Sequence, residues 1–281
     1  MMTHWNEAIG PIDGVMFDVD GTLILSDRQL GQYTPLPHAA ETLARLRAAK
    51  MPFLLLTNGS AYPGAEQAEK LRRIGLPVDD AQMLTPNTVA AGLFRTRGVA
   101  RVMVLGTDGV SRALAADGIA TCAPSDDGAV DAVYIGWAPD CSMADIHAAC
   151  GAVMAGAALY TASDVPFFAT KSGPAFGYSC AIVGAITRVT GVEAEVTGKP
   201  SLHAMTHIAG QLGIDPARIA VIGDDPRVET EMARSGGAIG IGVTTGTTSA
   251  EQWAAQDLCR RPHRVISALD ALWRDDLLGQ R

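Results

Sequence analysis

The sequence is poor in the features that mark several large classes of protein. Its 281 residues include five cysteines, an odd number, and no two of them form a C-x-x-C pair. This usage favours reduced thiols over a disulfide framework or a zinc site. Basic residues are also few, since 22 lysines and arginines against 30 acids give a formal net charge of -8. Nucleic-acid binders need basic surface to neutralise phosphates, so the composition argues against a nucleic-acid partner.

Long apolar runs are missing as well. No stretch reaches the ~18–20 residues that a membrane span requires. The first ten residues lack the basic stretch and apolar run of a signal peptide. We therefore expect a cytoplasmic protein with no membrane partner. Hydrophobic residues make up 48% of the chain, which is enough for a buried core, and the length predicts one core plus a smaller inserted or appended domain.

Short apolar runs alternate with helical patterns along most of the chain. The predicted strands are 12–17, 53–56, 102–105, 132–135, 219–222 and 238–243, and the predicted helices include 39–49, 65–74, 142–154, 202–212 and 229–234. Gly75 and Gly213 stand where helix ends are expected. Continuous apolar strands are typical of parallel sheets buried on both faces. The alternation predicts an α/β fold with a doubly wound parallel sheet.

Two carboxylates follow the first predicted strand. Asp18 and Asp20 bracket Val19, and residues two apart in an extended segment face the same side. Carboxylates this close repel each other unless a cation lies beside them. Gly21 permits a sharp turn at the carboxyl end of the strand, where open α/β sheets bind their ligands. An ordinary Asp-Gly turn would leave the same pattern.

Polar residues also follow the second predicted strand and precede the helix at 202–212. Thr57, Asn58 and Gly59 supply a hydroxyl, an amide and a free backbone that can cradle a phosphate, although such residues also cap helices. Lys199 is followed by Pro200, which suits a first helical turn. The ammonium group of Lys199 could point to the ligand edge of the sheet, or Lys199 could be an ordinary surface lysine.

A third acidic segment follows the strand predicted at 219–222. Asp224 comes directly after Gly223, and Glu229 stands at the start of the next predicted helix. Clustered acidic oxygens suit a hard cation such as magnesium. Asp224 could instead serve as the N-cap of that helix.

The order of these segments resembles the haloacid dehalogenase (HAD) superfamily, and within it the class IIA branch of NagD-like or p-nitrophenylphosphatase-like phosphatases. The resemblance runs over nearly the whole chain, including G-K-P-S at 198–201 and the G-x-T-x-G-T-T-S segment at 242–249. It implies a Rossmann-like core formed by residues 1–86 and 182–281. An α/β cap domain, residues 87–181, would be inserted between the second and third motifs.

The resemblance also implies a role for each motif residue. Asp18 would be the nucleophile, and Asp20 would protonate the leaving group and then deprotonate the attacking water. The phosphoryl oxygens would be held by Thr57 and by the backbone around Asn58 and Gly59. Lys199 would balance the charge on the phosphoryl group and on the nucleophile.

A magnesium ion would be held by three groups: the carboxylate of Asp18, the backbone carbonyl of Asp20 and the carboxylate of Asp224. Glu229 occupies a position where relatives commonly carry Asp, so we expect its longer side chain to reach the metal through water. Magnesium would offset the repulsion between an anionic nucleophile and an anionic substrate.

The expected function is magnesium-dependent hydrolysis of a small phosphate monoester, such as a sugar phosphate, a nucleoside monophosphate or phosphoglycolate. A phosphomutase remains an alternative, although that chemistry usually goes with a helical cap after the first motif, where this chain has only a short link. A non-catalytic phospholigand-binding protein is another, although it should have lost Asp18 or Asp20. A dinucleotide-binding oxidoreductase would need G-x-G-x-x-G after the first strand, where Asp-Gly-Thr stands instead.

The segment 163–178 of the expected cap is rich in aromatic residues. It contains Phe167, Phe168, Phe176 and Tyr178, together with Lys171. In the class IIA pattern this part of the cap faces the phosphoryl site. The aromatic side chains would then pack on the leaving group, and Lys171 would meet a second negative charge on it. Alternatively, the aromatic residues belong to the core of the cap and Lys171 is solvated.

Assembly is the last expectation from the sequence. Similar proteins often form homodimers through the cap, and the apolar helix predicted at 142–154 could support such contact. The same apolar face could equally belong to the cap's own core.

Overall fold

The computed structural model describes residues 7, 9–27, 32–170 and 173–278. The chain divides into two compact units. The first unit comprises Met1–Thr57, Gln67–Met83 and Ala204–Arg281. The second comprises Asn58–Glu66 and Leu84–His203. In the described part of the chain no helix is long and apolar enough to cross a membrane.

Strands and helices alternate through both units. The strands are β1 (Gly14–Asp18), β2 (Ile24–Asp27), β3 (Gln32–Pro35), β4 (Phe53–Leu56), β5 (Met83–Leu84), β6 (Arg101–Leu105), β7 (Ala120–Cys122), β8 (Ala132–Ile135), β9 (Ala158–Thr161), β10 (Phe167–Thr170), β11 (Gly173–Phe176), β12 (Glu195–Val196), β13 (Ile219–Gly223), β14 (Ile239–Val243) and β15 (Arg264–Ile266). The α-helices are α1 (Ala39–Ala48), α2 (Gly64–Arg73), α3 (Pro86–Arg97), α4 (Asp108–Ala116), α5 (Met143–Met154), α6 (Tyr178–Thr190), α7 (Leu202–Leu212), α8 (Glu231–Ser235), α9 (Ala250–Ala254) and α10 (Ala271–Arg274). A π-helical turn spans Pro226–Thr230, and short 3₁₀ turns lie at Asp80–Gln82 and Pro216–Arg218.

The first unit is built on a sheet whose strands lie in the order β15-β14-β13-β1-β4-β5. If these six strands are numbered 1 to 6 along the chain and read from β5 to β15, their order is the 3-2-1-4-5-6 of a doubly wound sheet. The order reverses between β1 and β13. The pairing of β1 with β13 and with β4 is parallel. The α/β doubly wound core predicted from the sequence is confirmed, and its ligand crevice is expected at the carboxyl ends of β1 and β13.

Continuous apolar runs explain why these central strands form. Every residue of β1, β4 and β13 is buried, as expected for strands covered on both faces. The register pairs Phe17 with Ile222 and Asp18 with Leu56. The residues that follow the three strands therefore leave the sheet at one edge.

The second unit contains its own parallel sheet, in the order β12-β9-β8-β6-β7. Helices α3 and α4 pack on one face and α5 and α6 on the other. A separate α/β cap sheet was predicted and is confirmed. The cap limits 87–181 stay a prediction; position 181 lies within α6, whose Ile182, Val183 and Ile186 belong to the apolar core of the second unit.

Three local features differ from the sequence prediction. Helix α8 starts at Glu231 instead of residue 229, because the segment before it winds into the π-helical turn capped by Asp225, whose side chain accepts the N–H of Arg227 at 2.8 Å. Pro200 lies in a turn ahead of α7, closed by the Ser201 N–H on the Gly198 carbonyl. The short link before α1 contains the antiparallel hairpin β2–β3.

Two other predictions can be compared with the helices. Gly75 and Gly213 have φ values of 89° and 67°, which confirms them as left-handed helix ends. Helix α5 buries Ala149, Cys150 and Val153 in the core of its own unit and exposes a methionine at each end. A homodimer through the cap stays a prediction.

Candidate active site

Asp18 is the last residue of β1 and is buried. The chain turns immediately after it, with Gly21 at φ 88° and its N–H donating to the Ile24 carbonyl at 2.7 Å. This turn brings the hydroxyl of Thr22 back to donate to Asp18 Oδ2 at 3.2 Å. The nucleophile predicted from the sequence therefore lies at the carboxyl end of a buried central strand, with one carboxylate oxygen hydrogen-bonded to its own turn.

Asp20 is held by the hairpin that follows it. The Ser26 hydroxyl, on β2, donates to Asp20 Oδ1 at 2.5 Å. Asp20 is only partly buried, unlike Asp18. A carboxylate in this setting can exchange a proton with a bound molecule while its orientation is kept by the hairpin.

Asp224 follows β13, on the strand next to β1, and its side chain is 5% exposed. Its Oδ2 accepts the backbone N–H of Thr247 at 2.7 Å. Two glycines enclose this oxygen, because a Cβ built on Gly21 or Gly246 would lie 2.3 or 2.0 Å from it. Asp224 therefore fits only between residues without side chains.

Burial is the largest cause, and the nearby charge of Asp18 the second, of the rise in the pKa of Asp224 to about 7. Both effects disfavour two ionised carboxylates side by side. A divalent cation would remove that penalty, and oxygen donors of this kind suit magnesium better than zinc. The donor set predicted from the sequence is two carboxylates and a main-chain carbonyl; among the described residues no three His, Cys, Asp or Glu side chains are grouped to hold a metal.

Glu229 lies in the π-helical turn and is buried. Its Oε2 accepts the N–H of Asp225 at 3.2 Å, so it braces the segment that carries Asp224. The N-cap of this turn is Asp225 instead of Asp224. Contact of Glu229 with a metal through water stays a prediction.

Thr57 follows β4 in the first unit and is buried. The alternative that it caps a helix with Asn58 is wrong, because α2 begins only at Gly64. Asn58 and Gly59 belong to the second unit. Their role in holding phosphoryl oxygens stays a prediction.

Within the second unit Asn58 and Lys199 are paired although 141 residues separate them. The Asn58 amide donates to the Lys199 carbonyl at 3.0 Å and accepts the Lys199 N–H at 2.8 Å. The Lys199 side chain is 1% exposed, so the alternative of a surface lysine is wrong. The amide of Asn58 positions the backbone that carries a buried lysine.

Gly198 leaves no room for a side chain beside this pair. A Cβ there would lie 2.4 Å from the Ala162 carbonyl and 2.7 Å from Asn58 Oδ1. We expect Gly198→Ala to destabilise the protein by ~1–3 kcal/mol, the usual cost of overpacking. Gly151→Ala is the matched control: no atom lies within 4 Å of its Cβ, so this substitution in α5 should stabilise by ~0.5–1 kcal/mol. Urea unfolding measures both, and equal stabilities for the two variants would contradict the geometry.

The aromatic segment forms the antiparallel hairpin β10–β11, which pairs Phe167 with Phe176. Their ring centroids are 6.4 Å apart, and the side chains are 59% and 51% exposed. Tyr178 stacks edge-on to Trp137 at 4.8 Å. The alternative that Phe167 and Phe176 are cap core is therefore wrong. Lys171 lies outside the described residues.

Several residues of the site had no role in the sequence interpretation. Thr22 and Ser26 hold Asp18 and Asp20, and residues 245–247 surround Asp224 and its neighbouring turn. The segment 242–249 was part of the family resemblance, so its presence was a usable signal. The residue that this segment contacts, Asp224, lies 23 residues before Thr247 in the chain, and the sequence spacing does not predict that contact.

Comparison with known proteins agrees with this architecture. Residues 15–120 match the family model "Haloacid dehalogenase-like hydrolase", and residues 196–272 match a second, HAD-hydrolase-like model. Chronophin from Rattus norvegicus is 30% identical over 257 residues, which cover 88% of this chain and 81% of that protein. D-glycerol 3-phosphate phosphatase from Mycobacterium tuberculosis is 28% identical over 95% of this chain and 72% of its own.

Solved structures show the same fold. The 4-nitrophenylphosphatase from Thermotoga maritima superposes with a TM-score of 0.83 at 25% identity, covering 93% of this chain and 96% of its own. Glycerol phosphate phosphatase from M. tuberculosis in complex with magnesium has a TM-score of 0.81 at 26% identity, over 94% and 78% of the two chains. The chain belongs to the haloacid dehalogenase superfamily, in its class IIA, NagD-like branch. It is a phosphoric monoester hydrolase that acts on small phosphate esters.

Proposed function

We propose that this phosphatase depends on magnesium and hydrolyses a small phosphate monoester through an aspartyl-phosphate on Asp18. The observation that carries the proposal is the buried pair of Asp18 and Asp224 at the carboxyl ends of β1 and β13, where the strand order of the sheet reverses. Ligands of open α/β sheets bind at this point. Two buried carboxylates there suit a cation together with an anionic substrate.

The metal would be held by the carboxylates of Asp18 and Asp224 and by the backbone carbonyl of Asp20, with Glu229 reaching it through water. Bound there, magnesium would neutralise charge on the phosphoryl group and orient it for in-line attack. A relative supports the choice of metal, since the M. tuberculosis glycerol phosphate phosphatase was solved with magnesium and with calcium.

The residues of the chain perform the proton and phosphoryl transfers. An Asp18 oxygen attacks phosphorus while the bond to the leaving oxygen breaks, and Asp20 gives that oxygen a proton, which releases the alcohol. Asp20, now ionised, takes a proton from water, and the resulting hydroxide oxygen displaces Asp18 from phosphorus. Inorganic phosphate leaves, and both carboxyl groups return to their initial states.

The phosphoryl oxygens are proposed to be held by Thr57 and by backbone groups of Asn58 and Gly59. Lys199 would balance charge on the phosphoryl group and the nucleophile. The buried position of its side chain and the two hydrogen bonds between the Asn58 amide and its backbone, one donated in each direction, support a positioned cation.

The substrate is proposed to be a small metabolite such as a sugar phosphate, a nucleoside monophosphate, phosphoglycolate or, as in the M. tuberculosis relative, a glycerol phosphate. Lys171 is proposed to meet a second negative charge on it. A panel of phosphorylated metabolites, assayed for released phosphate, tests the proposal. Release from none of them, together with isomerised sugar phosphate in the mixture, would favour the phosphomutase alternative.

The role of Asp20 makes a prediction about leaving groups. Asp20→Asn cannot donate the proton that an alkoxide needs, so turnover of an alkyl phosphate should fall ~10²–10⁴-fold. Hydrolysis of p-nitrophenyl phosphate should fall much less, because p-nitrophenolate leaves without a proton. Steady-state kinetics with the two substrates measure the ratio. Equal losses would remove Asp20 from the general-acid role.

A further inference from the structure

The loop between β14 and α9 holds the two halves of the metal site against each other. We call residues 245–247 the clasp loop. It contacts the turn after Asp18 at one point and Asp224 at another. The three segments are far apart in the chain, at residues 18–22, 224 and 245–247, and they all belong to the first unit.

The first contact is made by a threonine hydroxyl. Thr245 Oγ1 donates to the Gly21 carbonyl at 2.8 Å. The N–H of the same glycine is also hydrogen-bonded, because it donates to the Ile24 carbonyl. Both peptide groups that flank Gly21 are thereby restrained, and one of them contains the carbonyl of Asp20, the proposed main-chain ligand.

The second contact encloses Asp224. The Thr247 N–H donates to Asp224 Oδ2 at 2.7 Å, and the Thr247 hydroxyl donates to the Asp224 backbone carbonyl at 3.3 Å. Gly246 lies against the same carboxylate, where a Cβ would be 2.0 Å from Oδ2. One carboxylate oxygen is thus engaged by the clasp loop, and its direction is set by two consecutive residues, Gly246 and Thr247.

These contacts have a common physical effect. Asp18 and Asp224 are buried carboxylates that repel each other before a cation binds. Without restraint, the turn and Asp224 would relax apart, and metal binding would have to bring them together again. Hydrogen bonds from outside the ligand set reduce that reorganisation, as outer partners of metal ligands commonly do.

We infer that Thr245 is a positioning residue of the metal site and that the clasp loop, through Thr245, Gly246 and the Thr247 N–H, preorganises the magnesium ligands. The inference rests on the proposed function for the identity of the metal. It concerns affinity for the metal and assigns the clasp loop no contact with the reacting atoms.

The test compares Thr245→Val, which keeps the shape and removes the hydroxyl, with Thr245→Ser, which keeps the hydroxyl. Thr244→Val is the matched control, because within the described residues the Thr244 hydroxyl has no hydrogen-bond partner while its backbone N–H donates to Ile266. Magnesium chloride is titrated against each protein without substrate. The melting temperature gives the apparent dissociation constant for the metal.

Thr245→Val should raise that dissociation constant ~10-fold or more, within the range seen when outer partners of metal ligands are removed. Thr245→Ser and Thr244→Val should stay within about twofold of the wild type on the same scale. Turnover by Thr245→Val should recover at saturating magnesium. A dissociation constant unchanged in Thr245→Val overturns the inference, and so does a lower metal-free melting temperature with unchanged affinity, since that is a purely structural effect.

Gly246→Ala provides a second variant that acts on Asp224 itself. Its Cβ should displace the carboxylate and weaken magnesium binding ~10–100-fold, whereas Gly210→Ala, with no atom near its Cβ, should leave binding unchanged. If the wild-type protein binds magnesium but releases no phosphate from any substrate, the proposed function is wrong. The variants above still decide the role of the clasp loop in metal binding. Wild-type activity that needs no metal would sink both.

Discussion

Asp18→Asn is expected to abolish turnover. A neutral amide cannot form the acyl phosphate on which the two-step reaction depends, so the loss should reach ~10⁴-fold or more, the scale seen when a nucleophile is removed. Asn keeps the size of Asp and can still accept the hydrogen bond from Thr22. The fold and substrate binding should therefore survive, which near-UV circular dichroism and an equilibrium binding assay would establish.

Asp275→Asn is the control for this result. It removes one carboxylate from an exposed pair with Arg274, and surface ion pairs contribute little to stability. It should match the wild type in turnover and in melting temperature. More than a few per cent of wild-type turnover left in Asp18→Asn would rule out the covalent mechanism. Trapping of a phosphorylated protein by acid quench should succeed with the wild type and fail with Asp18→Asn.

Asp224→Asn is expected to separate the stability of the metal-free protein from its response to magnesium. The substitution removes one of two buried, mutually repelling carboxylates, while the Asn carbonyl can still accept the Thr247 N–H. The metal-free variant should be more stable than the wild type by roughly 1–3 kcal/mol at pH 8. Wild-type protein should gain ~2.7 kcal/mol at magnesium 100-fold above its dissociation constant. The variant should gain almost nothing and have no activity.

The pH dependence of that difference has a defined sign. The folded-state pKa of Asp224 is raised to about 7 from an ordinary 3.8, so folding favours the protonated form. The ionised carboxylate costs wild-type stability progressively as pH rises from about 4 to 7. The metal-free advantage of Asp224→Asn should accordingly be absent at pH 4, grow up to pH 7 and level off above it. Guanidinium unfolding in chelator at several pH values measures it, and a constant difference across that range would contradict the buried pair.

Local sequence was sufficient to predict those features that depend only on residues close together in the chain. Strands β4 and β8 have the predicted limits, because their continuous apolar runs end at polar or flexible residues. Asp18 was placed at a strand end for the same reason. The start of α8 was predicted wrongly, because the side-chain cap of Asp225 winds the preceding residues into a π-helical turn. The hairpin β2–β3 was not predicted, since its strands are short and lie in what reads as a link.

By itself the sequence determined the α/β class, the motif order and the superfamily, and it supplied the residues proposed to carry the chemistry, because apolar periodicity and motif residues are properties of contiguous segments. Only the tertiary structure decided what holds those residues in place. Asn58 is bonded to the backbone of Lys199, and Thr245 to the carbonyl of Gly21, across 141 and 224 residues of chain. The raised pKa of Asp224 likewise depends on burial beside Asp18. Hydrogen bonds and desolvation between distant segments exist only after the strands have paired, so no spacing in the sequence records them.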